Sequence, residues 1–181
     1  SLLELVPYDK KAPDIIENVF LFCLVWAFGG PMVVDKGGDF RKHFSETLSM
    51  TFGQKFPKEH TCFDYYWKFD SDEFQDWSTR VPAYVPIPIG TGPGETPFNG
   101  LFVPTSDTER LTYLMNYLAR KGRHCMLVGS GSGKTSVINQ YLNSLDKDTD
   151  GFLSARINMS YYTDSKRLQQ ELELPIDKRS G

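Results

Sequence analysis

The chain has 181 residues, 40% of them hydrophobic and 24% charged, which is the balance of an ordinary globular protein rather than a disordered or collagen-like one. Twenty Lys and Arg against 23 Asp and Glu leave a formal charge of -3. No global basic field is available to hold a phosphate backbone or an anionic surface, so neither nucleic acid nor a membrane is expected as a partner.

The longest apolar stretch, Val19 to Phe28, is about half of the ~20 residues that a bilayer-spanning helix needs. It follows Glu4, Asp9, Asp14 and Glu17 rather than a basic segment, against a signal peptide. Cys23, Cys62 and Cys125 are widely spaced without a CxxC pair, so neither a disulfide framework nor a zinc site is expected. A reducing, cytoplasmic compartment fits that usage.

From Pro13 to Phe28 the apolar residues Ile15, Ile16, Val19, Phe20, Cys23, Leu24 and Ala27 recur at helical spacing, with Pro13 suited to the first turn and Gly29, Gly30 and Pro31 as the stop. Asp39 is placed to cap a second helix carrying Phe40, Phe44 and Leu48 on one face and ending near Gly53. Residues 1–55 thus read as a small helical subdomain.

Residues 56–100 read as a β/extended connector. Phe63, Tyr65, Tyr66, Trp67, Phe69, Phe74 and Trp77 cluster there, followed by the proline-rich run 81–89 and the turn-rich run 90–100. As a base-stacking platform the aromatics would sit among Asp64, Asp70, Asp72, Glu73 and Asp76, which repel phosphates, so a packing role is expected.

Residues 101–181 have the rhythm of an α/β domain. Ser106-Asp-Thr-Glu109 matches a capping box opening a helix with Leu111, Leu114, Met115 and Leu118 on one face. Cys125 to Val128 reads as a buried strand, followed by a glycine-rich loop and a helix bearing Val137, Ile138, Tyr141, Leu142 and Leu145. Phe152 to Met159 reads as a second strand, and Asp164 to Leu172 as a last helix. That alternation predicts the start of a parallel sheet with flanking helices.

The loop Val128-Gly-Ser-Gly-Ser-Gly-Lys-Thr135 lies between strand and helix, where a phosphate-binding loop must lie. Gly129, Ser130, Gly131, Ser132 and Gly133 are expected to cradle phosphates with backbone N–H groups. Lys134 would reach the β- and γ-phosphates, Thr135 would hold Mg²⁺, and Ser136 would complete the helix start. A flexible Gly/Ser linker is the plain alternative, but linkers do not characteristically end in Gly-Lys-Thr and enter an amphipathic helix.

The usual spacing puts four residues between the first glycine and Gly-Lys-Thr, whereas Gly129 and Gly133 enclose Ser130, Gly131 and Ser132. Two readings stay open: a loop one residue short, with a tighter cradle and weaker binding, or a sequence from which one residue has dropped out. The poor tolerance of such cradles to length changes weighs toward the second.

Hydrolysis also needs a carboxylate at the end of a later strand to support Mg²⁺ and a side chain to orient water. The strand ending Ile157-Asn-Met-Ser160 supplies none, so no catalytic residue is assigned and this segment by itself is expected to bind nucleotide without hydrolysing it. Two strands of a P-loop sheet cannot bury both faces, so the 181 residues read as part of a longer chain.

Several linked motifs resemble the motor region of dynein heavy chains, the axonemal branch above all. Phe22 to Gly30 looks like the end of the second AAA+ module, and Phe63-Asp-Tyr-Tyr66 with Trp77-Ser78 and Val81-Pro82 like the connector after it. Val103-Pro-Thr105, Asp107-Thr108 and Arg110 are similar to the stretch before the third module's phosphate loop, and Asn158 to Thr163 and Leu174 to Gly181 to the sequence upstream of its acidic strand.

The resemblance implies one place in a ring of AAA+ modules within an ATP-driven motor that moves toward microtubule minus ends and powers ciliary and flagellar beating. It implies a regulatory site for ATP or ADP with Mg²⁺, with Val103, Pro104 and Thr105 against the adenine. Neighbouring modules and the linker of the same heavy chain are the implied partners, with other heavy, intermediate and light chains in an axonemal complex. Microtubules would be met outside this segment. Set against it are a degenerate loop acting as scaffold without nucleotide, and a stand-alone P-loop kinase, distinguished by whether the chain runs on past Gly181 into an apolar strand ending in carboxylates.

The remaining polar residues carry little chemistry. His43, His60 and His124 are scattered, and His60 with Cys62 offers two metal ligands without a second pair. Lys166, Arg167, Lys178 and Arg179 read as solvated charge rather than as fingers reaching a neighbour's phosphate.

Overall fold

A computed structural model describes residues 12–129, 131–145, 151, 154–174 and 176. The chain divides into two units, Ser1–Val137 and Ile138–Gly181.

The first unit is built around α1, Pro13–Leu24, which runs without a break into a π-helical turn, Val25–Gly29. Its apolar residues serve two cores at once. Val19, Phe22 and Cys23 face Tyr66, Trp67 and Trp77, while Leu21 and Val25 face Leu48, Phe56, Cys62, Phe63 and Tyr65. A helix buried on two sides needs apolar residues around much of its circumference, which accounts for Val19, Leu21, Phe22, Cys23 and Val25, while Phe20 and Phe28 in the same run stay exposed.

Glycine stands at position 29, the last residue of that turn, because of packing. A Cβ there would lie 2.6 Å from the Phe63 ring and 2.9 Å from the Phe44 ring. A short antiparallel hairpin follows, β1 Val34–Asp35 and β2 Gly38–Asp39, and the Asp35 carboxylate accepts from the Gly37 amide at 2.7 Å. Asp39 then caps α2, Phe40–Phe52, by accepting from the Lys42 amide at 3.0 Å, and Gly53 at φ 75° closes that helix as the sequence indicates.

The aromatic cluster forms a second antiparallel hairpin, β3 Tyr65–Lys68 and β4 Glu73–Asp76, with Tyr65 opposite Asp76 and Trp67 opposite Phe74. Tyr65, Tyr66 and Trp67 are all buried, because α1 and its neighbours cover both faces of this strand. The packing role expected of the aromatics is what the structure has.

Helix α3, Ser106–Arg120, packs on the same core, with Tyr113 edge-on to Trp77 at 5.4 Å and to Phe22 at 6.4 Å. Its cap differs from the expected Ser106–Glu109 box. Thr105 is the cap and Thr108 its partner: the Thr105 amide donates to Thr108 Oγ1 at 2.8 Å and the Thr108 amide to Thr105 Oγ1 at 3.3 Å. Counting from Thr105 makes the third helical residue a threonine, and a hydroxyl closes the reciprocal pair that a Glu more often closes.

The expected parallel sheet is not present among the described residues, where both sheets are two-stranded and antiparallel. Residues 123–128 and 154–159 carry no ladder, and Phe152 and Leu153 lie outside the described residues. In the first segment Leu127 is half-buried between Met126 and Val128, which are 85% and 81% exposed. The burial expected of Cys125 to Val128 is therefore not seen: an apolar run is a local property of the sequence, whereas burial and ladder bonds need a neighbouring strand in register.

Across the unit boundary, α4 spans Lys134–Ser144, with Val137 and Tyr141 buried. In the second unit a turn at Ser160–Thr163 leads to α5, Ser165–Glu173, capped by Asp164 accepting from the Arg167 amide at 2.8 Å. Lys166 and Arg167 are exposed there, as expected of solvated charge; Lys178 and Arg179 lie outside the described residues.

Candidate functional site

Three glycines shape the loop before α4, all with left-handed φ: Gly129 at 156°, Gly131 at 55° and Gly133 at 69°. L-residues rarely adopt these angles, so three in five positions mark a backbone that the sequence can form only with glycine. At Gly129 a Cβ would also lie 3.1 Å from Ser132 Oγ. Ser130 is outside the described residues.

The Gly133 carbonyl accepts from the Val137 amide at 3.1 Å, the first bond of α4. Lys134, Thr135 and Ser136 therefore occupy the first turn, whose N–H groups have no acceptor inside the helix and sit at the positive end of its dipole. Lys134 folds back over the loop, its ammonium donating to the Gly129 carbonyl and approaching Ser132 Oγ at 3.4 Å. Thr135 and Ser136 are exposed.

A polyphosphate suits this donor set: first-turn amides, an ammonium held across the loop, and a hydroxyl at Thr135 able to serve a hydrated divalent cation. The fit rests on the glycine angles, which leave the loop free of Cβ atoms at Gly129, Gly131 and Gly133.

Val103, Pro104 and Thr105 form the approach to α3, with Val103 69% exposed, Thr105 exposed and Pro104 half-buried. The Thr105 hydroxyl is committed to capping, so any contact it makes with a base falls to its backbone and methyl group.

Two arginines bind α3 to the aromatic hairpin, and the sequence carried no sign of either contact. The Arg80 guanidinium lies over the Tyr66 and Tyr113 rings at 5.3 and 4.9 Å. Arg110 donates to the Phe63 carbonyl at 3.3 Å, pairs with Asp107 and lies 5.6 Å from the Trp26 ring. The Phe63 carbonyl lies 47 residues from Arg110 in sequence and the Trp26 ring further still, so neither contact leaves a local pattern.

Among the described residues, the titratable groups outside the loop form no reactive centre. Burial pushes the Cys23 and Cys62 thiols up to about 11, and both are free thiols. Hydrogen bonds from Ser78 hold the Asp76 carboxyl below the usual range, as befits a turn cap. His60 shares a polar cavity of about 270 Å³ with Asp64, Asp76, Asp107 and Arg110. Among the described residues no three His, Cys, Asp or Glu side chains come together as a metal site, and no helix is long and apolar enough to cross a membrane.

Residues 91–181 match the family described as P-loop containing dynein motor region, and residues 4–79 match the dynein heavy chain AAA lid domain. The human dynein axonemal heavy chain 9 is 38% identical over 170 residues, 93% of this chain. The ciliary dynein beta chain of Heliocidaris crassispina is 36% identical over 187 residues, 99% of this chain, and the flagellar outer arm dynein beta chain of Chlamydomonas reinhardtii is 37% identical over 177 residues, 97% of this chain. The chain spans 4% of the length of each of these relatives.

Proposed function

The chain belongs to the dynein heavy-chain family, and from that premise we propose that it works inside an axonemal heavy chain, where residues 129–136 form the phosphate-binding loop of a regulatory nucleotide site. The whole protein on this reading is an AAA+ ATPase that drives minus-end-directed movement on microtubules in cilia and flagella. Residues 1–55 end one AAA+ module, 56–100 connect, and 101–181 begin the next.

The observation that carries this reading is the loop itself: three left-handed glycines and Lys134 folded over them at the start of α4. Gly129 to Gly133 and the first-turn amides would hold the phosphates of ATP or ADP, Lys134 would neutralise them, and Thr135 would meet Mg²⁺. Val103, Pro104 and Thr105 would lie against the adenine. When bound, a nucleotide would supply phosphate charge at the first-turn amides of α4. Partners are the neighbouring modules and linker of the same chain and the other heavy, intermediate and light chains of the axonemal complex, in the cytoskeleton of the cilium. Microtubule contact belongs to regions outside these residues.

A scaffold reading, in which the loop binds nothing, draws on the spacing of three residues between Gly129 and Gly133. Photo-labelling of the intact heavy chain with 8-azido-ATP separates the two. Label on the peptide containing Val103 to Thr105, lost on Lys134→Ala, supports the nucleotide site. An unlabelled peptide at saturating probe sinks it and leaves the scaffold.

A further inference from the structure

Val103, Pro104 and Thr105 have little of their own to hold them. Among the described residues Phe102, Val103 and Pro104 neither donate nor accept a backbone hydrogen bond. The bonds of Thr105 all run forward into α3, to Thr108 and to the Glu109 amide at 2.9 Å. The place of these three residues is therefore set by the first turn of α3.

That first turn stands off from the aromatic hairpin. The polar cavity of about 270 Å³ lies between them, lined by Ser106, Asp107 and Arg110 from α3 and by Asp64, Asp76 and Trp77 from the hairpin and its flanks. The aromatic contacts of α3 come later, at Tyr113. Arg110 spans the gap. Its side chain is only 16% exposed, and its guanidinium donates to the Phe63 carbonyl at 3.3 Å, pairs with Asp107 and lies 5.6 Å from the Trp26 ring. A planar fork serves a carbonyl and a carboxylate at once and still offers a face to a ring, which an ammonium cannot do. The far end of the tether is fixed in turn, since the Phe63 carbonyl also accepts from the Trp77 indole at 3.1 Å and Phe63 is buried.

We propose that Arg110 is a positioning residue for the base side of the nucleotide site. It fixes Val103 to Thr105 relative to the core made by α1, its π-helical turn and the aromatic hairpin, so that this core sets the affinity for adenine without touching the phosphate loop. The proposal rests on the reading of residues 103–105 and 129–136 as one nucleotide site. A tether of this kind reduces the ordering cost of the base contact, and its loss weakens binding of a whole nucleotide but not of bare phosphates.

The test uses the intact heavy chain labelled with 8-azido-ATP, read on the peptide containing Val103 to Thr105, with ATP and inorganic tripolyphosphate as competitors. Tripolyphosphate carries the phosphates and no base. Arg110→Ala is expected to weaken ATP by about tenfold, the order of one hydrogen bond from a charged donor, and to leave tripolyphosphate within about twofold of wild type. An unchanged ATP affinity overturns the proposal. So does an equal fall of both competitors, which is what a general loss of structure produces.

Arg110→Lys checks the means of positioning. It keeps the charge and a donor long enough for the Phe63 carbonyl while losing the fork, and is expected to bind ATP about threefold more weakly than wild type with tripolyphosphate unchanged. A lysine variant as weak as the alanine one overturns the bond to Phe63 as the tether. A wild-type peptide that takes no label at saturating probe overturns the nucleotide site and this proposal with it, whereas a labelled wild type with both competitors falling together in the variant overturns this proposal alone.

Discussion

The indole of Trp77 donates through Nε1 to the backbone carbonyl of Phe63 at 3.1 Å, a bond wholly inside the core that ties the end of the aromatic hairpin to the turn before it. The same carbonyl accepts from Arg110 on α3 at 3.3 Å. One backbone oxygen thus holds the hairpin and α3 together, and its two lone pairs are both used.

Trp77→Phe removes the indole donor while keeping an aromatic ring. It is expected to weaken this region by about 1–3 kcal/mol, from a lost buried hydrogen bond and a smaller ring. The check is faster opening of residues 62–80 by hydrogen exchange in the intact protein; unchanged exchange would mean that the bond contributes nothing.

Gly29→Ala drives a methyl group to within 2.6 Å of the Phe63 ring and 2.9 Å of the Phe44 ring. The expected loss is about 1–3 kcal/mol through overpacking. Gly53→Ala has open space and strains only φ, so about 1 kcal/mol is expected. Comparing the two by local stability separates packing from conformation.

The cap of α3 is tested by a pair of neighbours. Thr105→Ala is expected to destabilise the helix by about 1 kcal/mol, and Ser106→Ala by a few tenths at most, about 0.5 kcal/mol. The reverse order in hydrogen exchange over residues 106–112 would return the cap to Ser106.

Within the phosphate loop, Gly129→Ala forces an L-residue to φ 156° and places its methyl group 3.1 Å from Ser132 Oγ. Strain of about 1–3 kcal/mol at the loop translates into weaker nucleotide affinity by roughly tenfold or more. Gln140→Ala, exposed on α4 and outside the loop, leaves affinity close to wild type. Titration of azido-nucleotide labelling measures both.

The thiols of Cys23 and Cys62 give a pH signature. Each has its folded value pushed by burial from 9.0 to about 11, so the unfolded chain ionises first as pH rises. Their contribution to stability is complete below pH 9 and is lost progressively as pH rises toward 11. Replacing both by Ala removes that slope, although it costs packing. Alkylation at pH 8 is expected to be slow at both positions in the folded chain and fast after denaturation.

Much of the local architecture was legible in the sequence. The Pro13 start, the Asp39 cap and the Gly53 stop were readable because caps and stops depend on residues within one helical turn. The glycine loop ahead of Lys134 was readable for the same reason, since each left-handed φ demands a residue type at that position. The dynein family was legible because several such local motifs stand in order along one chain.

What only the tertiary structure decided are the pairings between distant residues. The β3–β4 hairpin, the Arg80 stack on Tyr66 and Tyr113, and the shared Phe63 carbonyl all join groups whose chemistry is common and whose partners lie elsewhere in the chain. The helical cap also shifted by one residue, because two threonines closed a box that composition alone assigns to Ser and Glu. The apolar run of residues 125–128 was readable as a buried strand, yet neither its burial nor a parallel ladder is present among the described residues. Local dihedral preference resides in each residue, whereas a ladder or a packed ring exists only where the fold supplies the second partner.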